Sequence, residues 1–469
     1  MKKTLLSIFS FLLIVFSVDG QTLWNSIQNI DPNTGNDPYV IASGDLDGDT
    51  DIDLAIGTYN FSADVVKWYQ NDGNGNFTLM PTVSDLGTLS GIGGIVIADY
   101  DGINGNDIIV SSYSNDTVMF YANDGSGGFN TGVAISTTAD GAGQLTAVDI
   151  NNDGNLDVSI AEYDGGVASW LPGNGDGTFG AKQTIVAVNL PGNLSFDDFD
   201  GDGDQDALIG YIDGTTSGTI EIYYNQYVES GMTSVSWIKD TVTVNSGNPY
   251  LLVTAFADVN DDGTLDIIKS DNVSGDVAWY SKTKNGPSIE TIISDDSIID
   301  RPAVVAVADL DNDTYNDVIL TDGGSTNDAI IWFESTDVGT FNSEALIYDN
   351  NYQHYGITIA DLDGDGDKDI ATIGYFSNTV DWYENILETL TINDNTSTRF
   401  SIFPNPTKDV LNFEGINDST IKISIIDVLG KTVFNISQNS SQSLDVSSLS
   451  NGIYTITVDG KFVSKFIKE

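Results

Sequence analysis

The chain has 469 residues, with 69 acidic against 17 basic side chains, a formal net charge of −52 and no cysteine. Such a length holds more than one folding unit. The charge excludes nucleic acid and anionic membrane as partners, since both need a basic surface. The lack of cysteine excludes disulfides, thiol catalysis and cysteine-ligated zinc. Asp greatly outnumbers Glu, which suits short carboxylates folding back onto a nearby ion or turn amide better than a merely solvated acidic surface.

In chain order, residues 1–20 read as a secretory signal peptide. Lys2 and Lys3 precede an apolar stretch from Leu5 to Val18 that is short for a membrane span, and Val18 and Gly20 place cleavage before Gln21. No cysteine follows for lipid attachment, and no other segment reaches membrane-spanning length. The expectation is an exported, soluble protein without a transmembrane anchor.

A nine-residue acidic segment then recurs seven times, at a spacing of about 50 residues that is typical of repeat architectures. It begins at Asp45 (DLDGDTDID), Asp99 (DYDGINGND), Asp149 (DINNDGNLD), Asp198 (DFDGDGDQD), Asp258 (DVNDDGTLD), Asp309 (DLDNDTYND) and Asp361 (DLDGDGDKD). Side-chain oxygens at positions 1, 3, 5 and 9 can converge on one hard cation, and position 7 can add a backbone carbonyl, which meets the demand of Ca²⁺ for six to eight oxygens. The candidate ligands are Asp45, Asp47, Asp49 and Asp53 in the first loop, and Asp99, Asp101 and Asp107 in the second. They are Asp149, Asn151, Asp153 and Asp157 in the third, and Asp198, Asp200, Asp202 and Asp206 in the fourth. The fifth offers Asp258, Asn260, Asp262 and Asp266, the sixth Asp309, Asp311, Asp313 and Asp317, and the seventh Asp361, Asp363, Asp365 and Asp369.

Up to seven calcium sites follow, the second loop being short of one ligand because Ile103 stands at position 5. Thr50 and Thr314 replace the usual turn glycine in the first and sixth loops, which puts that turn geometry in question. A helical EF-hand is excluded. It needs Glu at position 12, and that position holds Ile56, Val110, Ile160, Ile209, Lys269, Leu320 and Thr372.

Each loop runs into an apolar strand, such as LAIG at Leu54 or VILTD at Val318. A second strand carrying aromatics follows, with Trp68–Tyr69, Phe120–Tyr121, Trp170, Tyr223–Tyr224, Trp279–Tyr280, Trp332–Phe333 and Trp382–Tyr383. Glycine-rich turns closed by Phe77, Phe129 and Phe179 come next in three copies. Several short strands per repeat signal a propeller blade or a solenoid coil. This pattern resembles the FG-GAP/VCBS repeats of integrin α-type seven-bladed propellers, over residues 21–388. The resemblance implies calcium in the loops, on the face opposite the blade-to-blade connections.

Each repeat is expected to supply four strands, the innermost with both faces covered because its apolar run is continuous. The last repeat stops after its third strand, so residues 22–30 are expected to complete its blade. The recurring aromatics are expected to pack between blades.

After a linker at 389–399, residues 400–469 change character, with more balanced charge and no acidic loop. Pro404–Asn405–Pro406, Gly430–Lys431, Gly452, Tyr454 and the basic residues Lys465 and Lys468 resemble the type A C-terminal sorting domain of type IX secretion. That implies a small β-sandwich engaging the type IX machinery of a Gram-negative cell, with the product at the outer surface or released. The fold class expected is thus all-β, a seven-bladed propeller followed by a small β-sandwich.

His354, the one histidine, has no nucleophile motif around it, and no carboxylate pair stands out from the repeat loops. The chain is therefore expected to be no enzyme but a monomeric binding or adhesion module for extracellular protein or polysaccharide. A polysaccharide lyase or hydrolase on the same scaffold is the alternative. The candidate ligand residues are Tyr39, Tyr250, Arg301, His354 and Tyr355, which stand upstream of the inner strands in different repeats and where loops on a rigid scaffold usually carry binding.

Overall fold

A computed structural model describes residues 24–386 and 401–468, except 26, 36, 60–63, 84–88, 214–216, 243–251, 272–274, 295–301, 324–328, 338, 343–344, 350–352, 415–419, 428–430, 440–442 and 459–460. The signal-peptide segment, the linker, Tyr250, Arg301 and Gly430 lie outside the described residues. The chain divides into two compact units after Ile386.

The first unit is a seven-bladed β-propeller built from seven four-stranded antiparallel sheets. The innermost strands are Pro38–Gly44, Ile92–Ala98, Ala142–Val148, Pro191–Asp197, Leu252–Ala257, Pro302–Ala308 and His354–Ala360. Each touches the next, and the seventh touches the first, so the ring is closed. Every acidic loop joins an innermost strand to the second strand of the same blade, which starts at the loop's position-9 Asp, as in Asp53–Thr58 and Asp369–Gly374. Closure uses the N-terminal strand Gln28–Asp31, which pairs with Thr379–Tyr383 as the outer strand of the seventh blade, and Trp24 bridges to Asn385.

The innermost strands differ from the expectation. They are only half-buried, whereas the second strands are buried at every described position, as in Asp53–Thr58 and Asp317–Asp322. The apolar runs were misleading because the first strand lines the axis on one face. The second strand is covered by both neighbouring blades.

The aromatics of the third strands fill the spaces between blades. Trp68 of the first blade packs with Ile92, Ile108 and Tyr121 of the second. Tyr69 and Ile41 pack with Ile373 and Trp382 of the seventh. Burying one such side chain stabilises by about 2–3 kcal/mol. The glycine turns complete this packing: a Cβ on Gly75 would stand 2.5 Å from the Trp382 ring, and one on Gly127 would stand 3.0 Å from Trp68. Glycine is required there because the next blade's turn lies flat on the indole.

The second unit holds a three-stranded and a four-stranded antiparallel sheet. Leu411 and Leu444 from the first sheet and Ile423, Ile425, Ile456 and Phe466 from the second share one core.

Candidate metal centres and the axial cavity

The acidic loops are held by their own side chains. Carboxylates at position 1 accept backbone N–H groups from the following turn, for example Gly48 (2.7 Å) and Thr50 (3.0 Å) on Asp45. Those at position 5 accept from position 7, as Asp313 does from Tyr315 (2.8 Å) and Asp153 from Asn155 (2.9 Å). The position-9 carboxylates are buried and join the loop to the third strand. Asp53 accepts from Leu46 N–H (2.8 Å) and Asn71 N–H (2.8 Å), and Asp369 accepts from Leu362 N–H (2.8 Å) and Asn385 N–H (2.7 Å).

These bonds gather carboxylates of positions 1, 3 and 9 with oxygens within 4.8 Å of one another. The triads are Asp45–Asp47–Asp53, Asp99–Asp101–Asp107, Asp198–Asp200–Asp206 and Asp309–Asp311–Asp317. Loop two therefore keeps its triad, and Ile103 merely points outward, 58% exposed. Burial pushes the position-9 carboxyls up, to about 7 for Asp53, Asp157, Asp266 and Asp317, about 6 for Asp107, and about 8 for Asp206 and Asp369. The backbone N–H donors oppose the shift without cancelling it. Converging carboxylates of this kind fit a hard divalent ion, which favours their ionised form.

The turn threonines keep the loop geometry at a cost. Thr50 has φ 82° and Thr314 has φ 83°, matching Gly263 at 80° in the fifth loop. A β-branched residue in the left-handed region is strained by about 1–3 kcal/mol. Thr50→Gly and Thr314→Gly are each expected to raise stability by about 1 kcal/mol. The check is the urea midpoint of the calcium-loaded chain, where no increase would mean the loop has already relaxed.

Sequence reading missed two elements of these centres. Position 2 is a buried apolar plug in every loop: Leu46, Tyr100, Ile150, Phe199, Val259, Leu310 and Leu362. An Asn at the end of four third strands reaches back to the plug carbonyl of the preceding blade. Asn71 Nδ2 donates to Leu362 O (2.7 Å), Asn123 to Leu46 O (2.8 Å), Asn225 to Ile150 O (2.8 Å) and Asn385 to Leu310 O (2.7 Å). The signal was present in WYQN, FYAN, YYN and WYEN.

At the opposite ends of the innermost strands the axis opens into a cavity of about 800 Å³. Six of these strands carry an irregular pairing near their first residue. A bulge of this kind re-aims a side chain, and Tyr39, Gly93, Gly143, Gly192, Ala303 and Tyr355 at these places line the cavity. Of these six, the first and seventh blades put a large residue there.

A tyrosine following the second strand adds Tyr59, Tyr113 and Tyr163 to the lining, and Tyr375 packs edge-on against Tyr355. The rings form one arc, with centroids 4.7 Å apart for Tyr39–Tyr59, 5.5 Å for Tyr39–Tyr355, 5.2 Å for Tyr355–Tyr375 and 6.1 Å for Tyr59–Tyr113. Burial pushes the Tyr39 hydroxyl up to about 12, with the neighbouring tyrosines adding to the effect. Across the cavity stand amides and hydroxyls. Gln144 Oε1 accepts from Leu194 N–H (2.7 Å), and Asn193 Oδ1 accepts from Thr254 Oγ1 (2.8 Å), tying three blades together.

Of the expected ligand residues, Tyr39 and Tyr355 line this cavity. His354 does not. It is wholly buried inside the seventh blade, its Nδ1 3.2 Å from Thr372 Oγ1, and burial lowers its pKa to about 4. The bulge explains the correction, since it turns Tyr355 rather than His354 to the axis. Tyr59, Tyr113, Tyr163 and Tyr375 were missed, although GTY, SSY, AEY and IGY repeat the signal.

The comparisons with known proteins agree with this architecture. Residues 45–102, 104–160, 149–209 and 309–372 match the FG-GAP-like repeat, and residues 401–469 match the secretion system C-terminal sorting domain. No curated protein matches the chain. The crystal structure of BBS1N in complex with ARL6DN, soaked with lead, is similar over 78% of this chain and 98% of its own, at 10% identity and a TM-score of 0.51. A structure of an Agrocybe aegerita lectin, described as recognising non-reducing terminal N-acetylglucosamine, covers 73% of this chain and 86% of its own at 19% identity and a TM-score of 0.45. At 10% identity the likeness to the BBS1N structure concerns the fold alone. The chain is an exported β-propeller that carries FG-GAP-like repeats. Its sorting domain is that of type IX secretion, which delivers it to the cell surface or the extracellular space. Among the described residues no helix is long and apolar enough to cross a membrane.

Proposed function

We propose that this propeller is a calcium-stabilised, non-catalytic binding and adhesion module that captures an extracellular polysaccharide or protein at its axial mouth. The tyrosine arc carries the reading. Tyrosine offers a large amphipathic contact at low entropic cost, and aromatics often dominate binding energy. Among apolar side chains such as Val40, Ile95, Leu145 and Val305, the described lining also offers the amides of Gln144 and Asn193 and the hydroxyls of Ser195 and Thr254, polar groups suited to holding a neutral, hydroxyl-rich chain. Calcium is the ion assigned to the loops, with positions 1, 3 and 9 as ligands. When bound it neutralises the converging carboxylates and fixes the start of each second strand.

The test is capture of calcium-loaded chain on glycan and protein arrays. Tyr59→Ala combined with Tyr375→Ala is expected to abolish capture while leaving the calcium dependence of melting unchanged. If capture responds instead to changes in the outer strands or at Tyr227–Ser236, which joins the third and fourth strands of the fourth blade, the binding site lies on the rim. Depolymerisation of a captured polysaccharide would favour the enzymatic alternative.

A further inference from the structure

Blade four differs from the others at its acidic loop. Where the first blade turns tightly from Asn71 to Phe77, the fourth inserts a segment between its third and fourth strands. The segment folds down onto the loop: Val228 N–H donates to Asp204 Oδ2 (2.9 Å), and Ser230 closes a turn on Gln226 and Tyr227. This fold holds Glu229 beside the loop carboxylates.

Two triads result, and they share a residue. Asp198, Asp200 and Asp206 form the repeat's own centre, while Asp200, Asp202 and Glu229 form another, again with oxygens within 4.8 Å of one another. Three buried carboxylate oxygens at this place accept no hydrogen bond from an N–H group or hydroxyl: Asp200 Oδ1, Asp202 Oδ2 and Asp204 Oδ1. The Asp200 side chain is 5% exposed and Asp204 is 1% exposed. Buried anionic oxygens without donors are costly unless a cation meets them.

A cation already marks the position. Lys284 reaches over from the fifth blade, and its ammonium bonds Asp200 Oδ2, stands 3.2 Å from Glu229 Oε1 and lies 4.8 Å above the Tyr224 ring. That single charge contacts Asp200 and Glu229, while Asp202 and Asp204 add two further carboxylates to the same cluster. With one calcium in the repeat's own centre, the cluster still carries surplus negative charge.

We propose that Asp200, Asp202 and Glu229, backed by Asp204, form a second divalent-cation site of calcium type in blade four, with Asp200 bridging to the repeat's own site. Lys284 competes for this position and is displaced by the ion. The inference rests on the calcium reading of the loops.

The experiment counts calcium bound per full-length chain after dialysis against calcium at roughly 10 mM, well above the affinity range of extracellular modules. Glu229→Gln is compared with wild type, with Lys284→Gln, and with Asp361→Asn as a control in loop seven. Glu229→Gln is expected to bind one calcium fewer than wild type, because Glu229 lies on an exposed segment and its amide keeps the shape. Lys284→Gln is expected to bind the wild-type number, with the last ion entering at lower free calcium. If Asp361→Asn loses an ion and Glu229→Gln loses none, the second site is refuted while the loop reading stands. If neither loses one, both fail. A Lys284→Gln chain that binds one more calcium than wild type makes the ammonium the resident cation and overturns the proposal.

Discussion

In chelator, the melting temperature of this propeller is expected to fall by tens of degrees, and to fall further as pH rises from about 5 to 8. The first part follows from mass action. An ion at 10–100 times its dissociation constant adds about 1.4–2.7 kcal/mol per site, and several such sites together rival the roughly 5–15 kcal/mol that holds a domain folded. The pH dependence follows from the position-9 carboxyls. Burial raises them to between about 6 and about 8 in the folded chain, against roughly 3.9 when unfolded.

Between those limits the folded state binds more protons than the unfolded one. Stability is therefore fully present below the unfolded value and is lost as pH climbs through the folded values. Saturating calcium should flatten the profile, because the ion favours the ionised carboxylates. Thermal melts in EDTA and in calcium across this pH range are the check. A metal-free chain that melts at one temperature throughout would show that the carboxylates are already ionised, with water or neighbouring donors supplying what the ion was assigned to supply.

The second large effect concerns ring closure. Removing residues 24–31 is expected to make the chain aggregate. Gln28–Asp31 covers the open edge of Thr379–Tyr383, and an exposed strand edge is a template for intermolecular pairing. The same segment ties the seventh blade to both neighbours. Trp24 packs edge-on against Trp332 of the sixth blade, with centroids 6.3 Å apart, and Asp31 accepts from the Tyr69 hydroxyl of the first at 2.8 Å. Light scattering during refolding of the truncated chain reads the outcome. A monodisperse product melting with wild type would mean that the ring holds through its innermost strands alone.

The export segment stands apart from these effects, because its core of Leu411, Ile423, Ile456 and Phe466 is self-contained. Its likeness to sorting domains bears on delivery and not on the propeller's ligand.

What the sequence determined by itself was local or periodic. Each acidic loop closes within nine residues, so its Asx-like turns and its carboxylate spacing are written in one stretch, and seven copies give both the blade number and the phase. The closing strand was legible for the same reason, since an unmatched segment at the start answers a missing strand at the end. Tertiary structure decided the rest. Which strand is most deeply buried depends on the axis, which has no signature in an apolar run. Whether His354 or Tyr355 faces the cavity depends on a bulge that breaks the two-residue alternation of a strand. The tyrosine arc needed the ring to bring blades seven, one, two and three side by side. The meeting of Glu229 with Lys284, 55 residues apart, needed one blade's insertion to reach a turn of the next. Contacts that run around a ring are set by the packing of blades, and packing is a property of the whole fold.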